Sequence, residues 1–249
     1  MNLLVPLYNM DFNNRFEEIR KVIMCNVLNP LFKKVYIFFE DYDINNKQYD
    51  FLKNNKICII NGKYRQMYSQ MIKFSNNSLK GEYVVISNTD ILFDKTINRI
   101  SEINFNDKKL IALTRWNKIE DNSKTFKLEL QDIKTVAWSY DSYIFQSPID
   151  VNLETLDIEV GIAGCDILLV KRLEIDNKFT VENPCIDIRT YHIDTDSRNR
   201  YISFDYYNQY DYKEVISKGA TTIDGNFQIY SNILRLYFDY ESVLNNIPD

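Results

Sequence analysis

Short, almost wholly apolar runs alternate with amphipathic segments through the first 116 residues of the chain. Runs of this length predict strands that are covered on both faces. The five predicted strands span residues 3–7, 35–39, 57–60, 83–87 and 110–114. Between them, apolar residues at helical spacing predict helices over 11–27 and 64–76, with further helical potential over 45–54 and from residue 94. The alternation predicts an α/β fold with a mixed, mostly parallel sheet flanked by helices.

The second half of the chain is less regular. We predict a loop over residues 117–127, strands or buried helix starts over 140–145 and 167–170, and a turn at 182–184. An amphipathic pattern over 227–243 predicts a C-terminal helix. Because the sequence shows no repeat and no linker-like stretch, we predict a single domain over residues 1–249.

Composition narrows the classes of function. The chain carries a net charge of −5 and has a pI near 5.1, which argues against a nucleic-acid binder. Neither a signal peptide nor an apolar stretch long enough for a membrane span is evident, so we expect a cytoplasmic protein. The richness in Asn, Ile and Lys is typical of AT-rich coding, as in large DNA viruses; a viral protein would lie in the host cytoplasm or the virion. The four cysteines form no CxxC pair, which predicts buried, reduced thiols.

Polar residues directly follow several of the predicted strands. They are Tyr8-Asn9, Glu40-Asp41, Asn61-Gly62 and Asn88-Thr89-Asp90. Ligands of open, parallel sheets bind outside the carboxyl ends of the strands. We therefore expect a binding site along this edge of the sheet.

Within this set, Asn88 and Asp90 suggest a metal site. Residues two apart in an extended backbone point the same way, so the Asn88 amide oxygen and the Asp90 carboxylate are predicted to face one cation. Mn²⁺ and Mg²⁺ favour such oxygen ligands and take the remainder from phosphate and water. The alternative is that Asn and Asp here only form a strand-ending turn.

The segment resembles the signature of the GT-A glycosyltransferases, an Asp-x-Asp after a hydrophobic strand, in a degenerate form with Asn88 replacing the first acid. The resemblance extends over about residues 3–200 and is to small bacterial and giant-virus members. It implies a nucleotide-diphospho-sugar donor, with UDP favoured, and a glycan or glycoprotein acceptor. Residues 1–116 would form the nucleotide-sugar-binding half, and residues 117–249 the acceptor-side half.

The resemblance also implies which residues bind the donor. The implied set is Pro6, Tyr8, Asn9, Glu40, Arg65, Asn88, Thr89 and Asp90. Arg65, which we place at the start of the helix after the third strand, suits a phosphate because its planar guanidinium donates two directed hydrogen bonds. A solvated arginine on a helix surface is the alternative.

Three further residues are implied on the sugar and acceptor side. Arg115 and Trp116 end the fifth strand, where the guanidinium would bind hydroxyls and the ring would stack on a sugar. The alternative for Trp116 is that it closes the core. Gly164, in a glycine-containing stretch, would let the backbone approach the donor sugar closely.

The catalytic base has two rival candidates, Asp141 and Asp166. Each lies in a segment similar to one in the same glycosyltransferase group, and an inverting reaction needs such a base on the acceptor hydroxyl. A helix-capping role is the alternative for Asp166. His192, the only histidine, resembles a late metal ligand of the family, with Asp194 and Asp196 as alternatives, and a structural role for His192 also remains open. Arg198 and Arg200 are predicted to hold the diphosphate.

Two other functions compete with glycosyl transfer. A nucleotidyltransferase also needs carboxylates and Mg²⁺ beside a nucleotide, yet residues 7–12 lack the glycine-rich phosphate loop expected after the first strand. A non-catalytic carbohydrate-binding or scaffold protein is the other alternative, because Asn88 removes one acid of the pair.

Overall fold

The computed structural model describes residues 1–10, 14–43, 45–106, 108–118, 125–129, 140–162, 164–193, 223 and 233–237. Its main sheet has seven strands in the order β10-β6-β9-β4-β1-β2-β3. Their bounds are β1 Asn2–Tyr8, β2 Lys34–Glu40, β3 Ile57–Gly62, β4 Tyr83–Ser87, β6 Lys109–Thr114, β9 Tyr140–Gln146 and β10 Thr180–Glu182. All neighbours pair in parallel except β9, which is antiparallel to β4 and β6. This architecture confirms the predicted α/β class and its mixed, mostly parallel sheet.

Helices lie on both faces of the sheet. The α-helices are α1 Asn14–Leu28, α2 Tyr68–Ser78 and α3 Cys165–Lys171, with a π-helix over Arg172–Asp176. Short 3-10 helices span Lys47–Leu52, Lys95–Glu102 and Leu153–Leu156. The predicted helix over 64–76 therefore starts later, at Tyr68, and the segment 167–170 lies in α3.

The alternation of side chains along β1 separates two cores. Leu3, Val5 and Leu7 pack with α1 on one face of the sheet, whereas Leu4 packs with α2 and α3 on the other. A strand buried on both faces has to be apolar at successive positions, which explains why these strands could be predicted from the sequence.

A second sheet of five strands has the order β12-β8-β7-β11-β5. Its strands are β5 Ile91–Phe93, β7 Trp116–Lys118, β8 Thr125–Glu129, β11 Thr190–His192 and β12 Ile233–Tyr237. The loop predicted over 117–127 is wrong where β7 and β8 lie, and the helix predicted over 227–243 is wrong at β12. The rest of that predicted helix lies outside the described residues.

The cysteines largely follow the prediction of burial. Cys25, Cys165 and Cys185 are buried, whereas Cys58, on β3 near the edge of the main sheet, is partly exposed. Among the helices that the structure describes, none combines the length and apolarity needed to cross a bilayer.

Candidate functional site

The carboxyl ends of β1 and β2 form one part of the predicted edge. The Asn9 side-chain amide donates to the carbonyl oxygens of Glu40 and Asp41, at 3.3 and 2.9 Å. Tyr8, the last residue of β1, is 52% exposed. The carbonyl oxygen of Pro6 accepts a hydrogen bond from the Thr89 hydroxyl, which joins β1 to the turn after β4. The tertiary structure thus brings the predicted donor-side residues of these strands to one edge.

The turn after β4 directs Asn88 and Asp90 to different partners. Ser87 ends the strand, and Thr89 and Asp90 form a turn, so the rule that residues two apart share a side no longer applies. The Asn88 side chain bonds to Asp141, on the neighbouring strand β9. The Asp90 carboxylate bonds to Arg15 and His192. The prediction that Asn88 and Asp90 face one cation is not met by this arrangement.

Arg15, Asp90 and His192 form a compact group, which we call the Asp90 cluster. Arg15, in the first turn of α1, donates from Nη2 to Asp90 Oδ2, and from Nη1 to the Ile193 carbonyl oxygen at 3.0 Å. His192 Nε2 lies 3.1 Å from the same Asp90 oxygen. Burial by itself would raise the pKa of Asp90, but the hydrogen bond and charge of His192, together with Arg15, hold it well below its usual range. Asp90 is therefore ionised and acts only as an acceptor.

The backbone adds to this connection. The Ile193 amide donates to the Asp90 carbonyl oxygen at 3.1 Å, and β11 pairs antiparallel with β5, directly after Asp90. The Asp90 cluster consequently ties α1 and the second sheet to the end of β4. Asp90 and His192, both predicted as metal ligands, are joined in the structure by a hydrogen bond.

The residues of the Asp90 cluster do not fit the predicted divalent cation. Arg15, a permanent cation, and His192 both bond to Asp90 Oδ2. Because the carboxylate can only accept, His192 Nε2 carries the proton of their hydrogen bond, and a metal could bind this nitrogen only after that bond is lost. The described part of the chain contains no group of three or more His, Cys, Asp or Glu side chains able to hold a metal ion. Asp194, Asp196, Arg198 and Arg200 lie outside the described residues.

Asn88, Arg115, Asp141 and Asp166 form a second group, the Asp141 cluster. Asp141 Oδ1 accepts from the Asn88 side-chain amide at 2.7 Å and from Arg115 Nη1 at 3.0 Å. The Asp141 residue is only 4% exposed, and its Oδ2 is buried without a hydrogen-bond partner among the described residues. An unsatisfied buried carboxylate oxygen is costly and is a common mark of a functional site.

Asp166 lies beside Asp141, in the first turn of α3. Its Oδ2 accepts from the Tyr140 amide at 3.1 Å. Gly164, with φ of 85°, occupies the left-handed N-cap position of α3, so the cap itself is Gly164 and not Asp166. Burial and the negative charge of Asp141 raise the pKa of Asp166 to about 6, against the opposing effect of nearby backbone N–H groups.

Two of the predicted contacts need correction. Trp116 is 3% exposed and donates from Nε1 to the Cys185 carbonyl oxygen at 2.9 Å, so its ring closes the core and has no face open to a sugar. Arg65 is exposed, and it lies in the loop between β3 and α2, not at the start of the helix.

Arg15 is the residue of the site that sequence reasoning missed. A usable signal was present, because a basic side chain in the first turn of a helix opposes the helix dipole and so suggests a specific acidic partner. The identity of that partner, 75 positions further along the chain, could not be inferred from the sequence.

No protein-family model matches the sequence, and no curated protein matches it. Among solved structures, the inositol-1-phosphate CTP transferase from T. maritima is 12% identical with a TM-score of 0.44, over 83% of this chain and 94% of that one. A candidate glucose-1-phosphate thymidylyltransferase from Bacillus anthracis is 9% identical with a TM-score of 0.40, over 73% and 86%. The galactosyltransferase LgtC is 9% identical with a TM-score of 0.37, over 59% and 58%. Likenesses of this size say nothing about the reaction of this chain.

Proposed function

We propose that this protein is a glycosyltransferase that moves a sugar from a nucleotide-diphospho-sugar, with UDP-sugars as first candidates, to a hydroxyl of a glycan or glycoprotein. The observation that carries the proposal is the Asp141 cluster. It places a partly buried carboxyl group with a pKa of about 6 beside a second, fully buried carboxylate at the carboxyl edge of a mostly parallel sheet.

Asp166 is assigned as the general base. Its pKa of about 6 leaves it mostly ionised at neutral pH, yet basic enough to accept a proton from a hydroxyl in the transition state. Asp141 is less suited, because Arg115 and Asn88 hold one oxygen and the other is buried. Asp141 instead positions Arg115 and raises the basicity of Asp166 through its charge.

The reaction follows from this assignment. The acceptor oxygen attacks the anomeric carbon and forms the new glycosidic bond while its proton passes to the Asp166 carboxylate. The bond from the anomeric carbon to the diphosphate oxygen breaks, and its electron pair leaves with the nucleoside diphosphate. Attack from the side opposite the leaving group inverts the configuration, and this geometry needs a single base, as assigned here.

The donor is assigned to the edge formed by β1, β2 and the turn after β4. The exposed ring of Tyr8 offers a surface for a base or sugar, and the bonded pair Asn9 and Glu40 keeps the two strand ends together. Thr89 and Pro6 connect this edge to the turn that leads to the Asp141 cluster. A donor lying along the edge would thereby present its sugar towards Asp166.

A turnover assay tests the proposal. The protein is incubated with a panel of nucleotide-diphospho-sugars and simple saccharide acceptors, and released nucleoside diphosphate is measured with and without acceptor. We expect acceptor-stimulated release from one donor. Formation of a nucleoside triphosphate from donor and pyrophosphate would instead identify a nucleotidyltransferase. An absence of turnover, combined with saccharide binding, would identify a carbohydrate-binding or scaffold protein.

A further inference from the structure

We propose that the diphosphate of the donor is bound here by arginine side chains, with Arg65 as the principal contact, and not through a divalent cation held by Asp90. The inference rests on the proposed function, which assigns a nucleoside diphosphate to this edge. It starts from one observation about the two carboxylates next to the turn after β4. Asp90 belongs to that turn and is paired with Arg15, and Asp141 is bonded by Asn88 and paired with Arg115.

At Asp90, the arginine already holds one of the two oxygens that a cation could use. Arg15 is permanently charged, and it donates to the same oxygen, Oδ2, that receives His192. A divalent ion on that oxygen would meet the guanidinium charge at close range and would have to displace it. Displacement would also break the bonds of Arg15 to the Ile193 carbonyl and to Glu18, at 3.0 and 3.2 Å.

At Asp141, the same reasoning applies from the other side of the turn. Arg115 and Asn88 hold Oδ1, and Oδ2 lies in the interior, out of contact with solvent. A cation between the two carboxylates would therefore find one oxygen committed on each and one of the remaining oxygens inaccessible. Other positively charged groups must therefore neutralise the negative charge of the leaving diphosphate.

The role is assigned to Arg65, which lies in the loop after the carboxyl end of β3. It is exposed and forms no ion pair within the described residues. The loop that carries it follows the carboxyl end of β3 and is anchored beside the segment that leads into α3. The anchors are hydrogen bonds from the Val160 amide to the Gln66 carbonyl at 2.9 Å, and from the Tyr68 amide to the Ile158 carbonyl at 3.0 Å. The loop thus runs from the carboxyl end of β3, the neighbour of β2, to the segment that precedes α3 and Asp166.

Calorimetric titration of the whole chain with UDP, GDP, CDP, ADP and dTDP, each in EDTA and each with Mn²⁺, tests the inference. We expect one of these diphosphates to bind with the same Kd, within about twofold, in both conditions. Arg65→Ala should weaken that binding about 10- to 100-fold, the usual effect of losing a charged hydrogen-bond donor. Arg65→Lys should recover part of the loss, and Lys63→Ala, in the same loop, is the matched control for long-range charge.

A second variant tests the role of Arg15. Arg15→Gln removes the charge that faces the Asp90 carboxylate and keeps a polar side chain at this position in α1. We expect nucleoside diphosphate binding by this variant to become tighter with Mn²⁺ than in EDTA. The wild-type protein should show no such difference.

Three results would contradict the inference. Wild-type binding that disappears in EDTA and returns with Mn²⁺ would overturn it and leave the proposed function standing. Mn²⁺ bound by the nucleotide-free chain and lost in Asp90→Asn, measured by water-proton relaxation, would do the same. A failure of all five diphosphates to bind in either condition would refute the proposed function, and the inference with it.

Discussion

The turn after β4 connects two groups of charged residues of opposite character. In the Asp90 cluster, the carboxylate faces Arg15 and His192, and its pKa is held down. In the Asp141 cluster, Asp166 faces the negative charge of Asp141, and its pKa is raised to about 6. The two clusters involve elements on opposite faces of the main sheet, α1 for one and α3 for the other.

The contrast shows how compensating charge decides what a buried carboxylate can do. Asp90 is stabilised as an anion and joins three parts of the fold, so its ionised form contributes to stability. Asp166 is destabilised as an anion, because it is buried and faces the negative charge of Asp141. A carboxylate of this second kind retains the tendency to take up a proton, which is what a general base requires.

The largest effect should come from Asp166→Asn. We expect kcat to fall about 100- to 10,000-fold, the usual contribution of a general base, with KM for the donor little changed. In the wild-type protein, kcat/KM should fall as the pH decreases below about 6, because the base is then protonated. Steady-state kinetics on the donor identified by the turnover assay provides both measurements.

Glu82→Gln is the control for that experiment, since Glu82 directly precedes β4 at the opposite edge of the sheet and forms an exposed ion pair with Lys33. Near-normal activity in Asp166→Asn would contradict the assignment of Asp166 as the base. A fall of kcat/KM at low pH that persists in this variant would do the same. A larger loss in Asp141→Asn than in Asp166→Asn would exchange the two assignments.

Asp90→Ala should chiefly reduce stability. Removing one member of a largely buried charged group takes away one of the two carboxylates that Arg15 contacts, and we expect the free energy of unfolding to fall by about 3 kcal/mol. The Asp90 side chain is 16% exposed, so solvent offsets only part of this loss. Urea denaturation at pH 7 measures the effect, and Asp50→Asn, in an exposed pair with Lys53, is the control expected to change little.

The pH dependence of Asp90→Asn sharpens the same point. Because the folded-state pKa of Asp90 is depressed, its contribution is fully present above the unfolded-state value of about 4 and is lost as the pH falls below it. The stability difference between wild type and this variant should therefore shrink under acid conditions. A difference that stays constant with pH would show that Asp90 acts through packing alone.

Asp166→Asn should have the opposite effect and raise the free energy of unfolding. The folded-state pKa of Asp166 is raised from 3.8 to about 6, so its ionisation opposes folding above that range. We expect the variant to be more stable than wild type at pH 8, by up to about 3 kcal/mol, with the gain vanishing below about pH 4. Urea denaturation at the two pH values decides this, and a variant that is less stable at pH 8 would contradict it.

The smallest effect concerns Trp116. Trp116→Phe removes the hydrogen bond to the Cys185 carbonyl and should lower the free energy of unfolding by about 1 kcal/mol, with KM for donor and acceptor unchanged. A raised KM with unchanged stability would instead support the sugar-stacking role first expected for this ring.

The main sheet was largely predictable, and the second sheet was not. Strands β1, β2, β3, β4 and β6 were predicted to within about two residues, because burial on both faces requires a continuous apolar run. Strands β5, β7 and β11 are three residues each, too short for any periodicity to show. Their pairing depends on partners far away in the sequence, such as His192 with Ile91.

The sequence by itself determined the α/β class and the edge where polar residues collect, with Asp90 among them. Only the tertiary structure decided how these residues are grouped. The turn after Ser87 ends the two-residue alternation, so Asn88 joins Asp141 while Asp90 joins Arg15. Local patterns follow from the geometry of one segment, whereas the pKa of a carboxyl group depends on which distant charges the fold brings beside it.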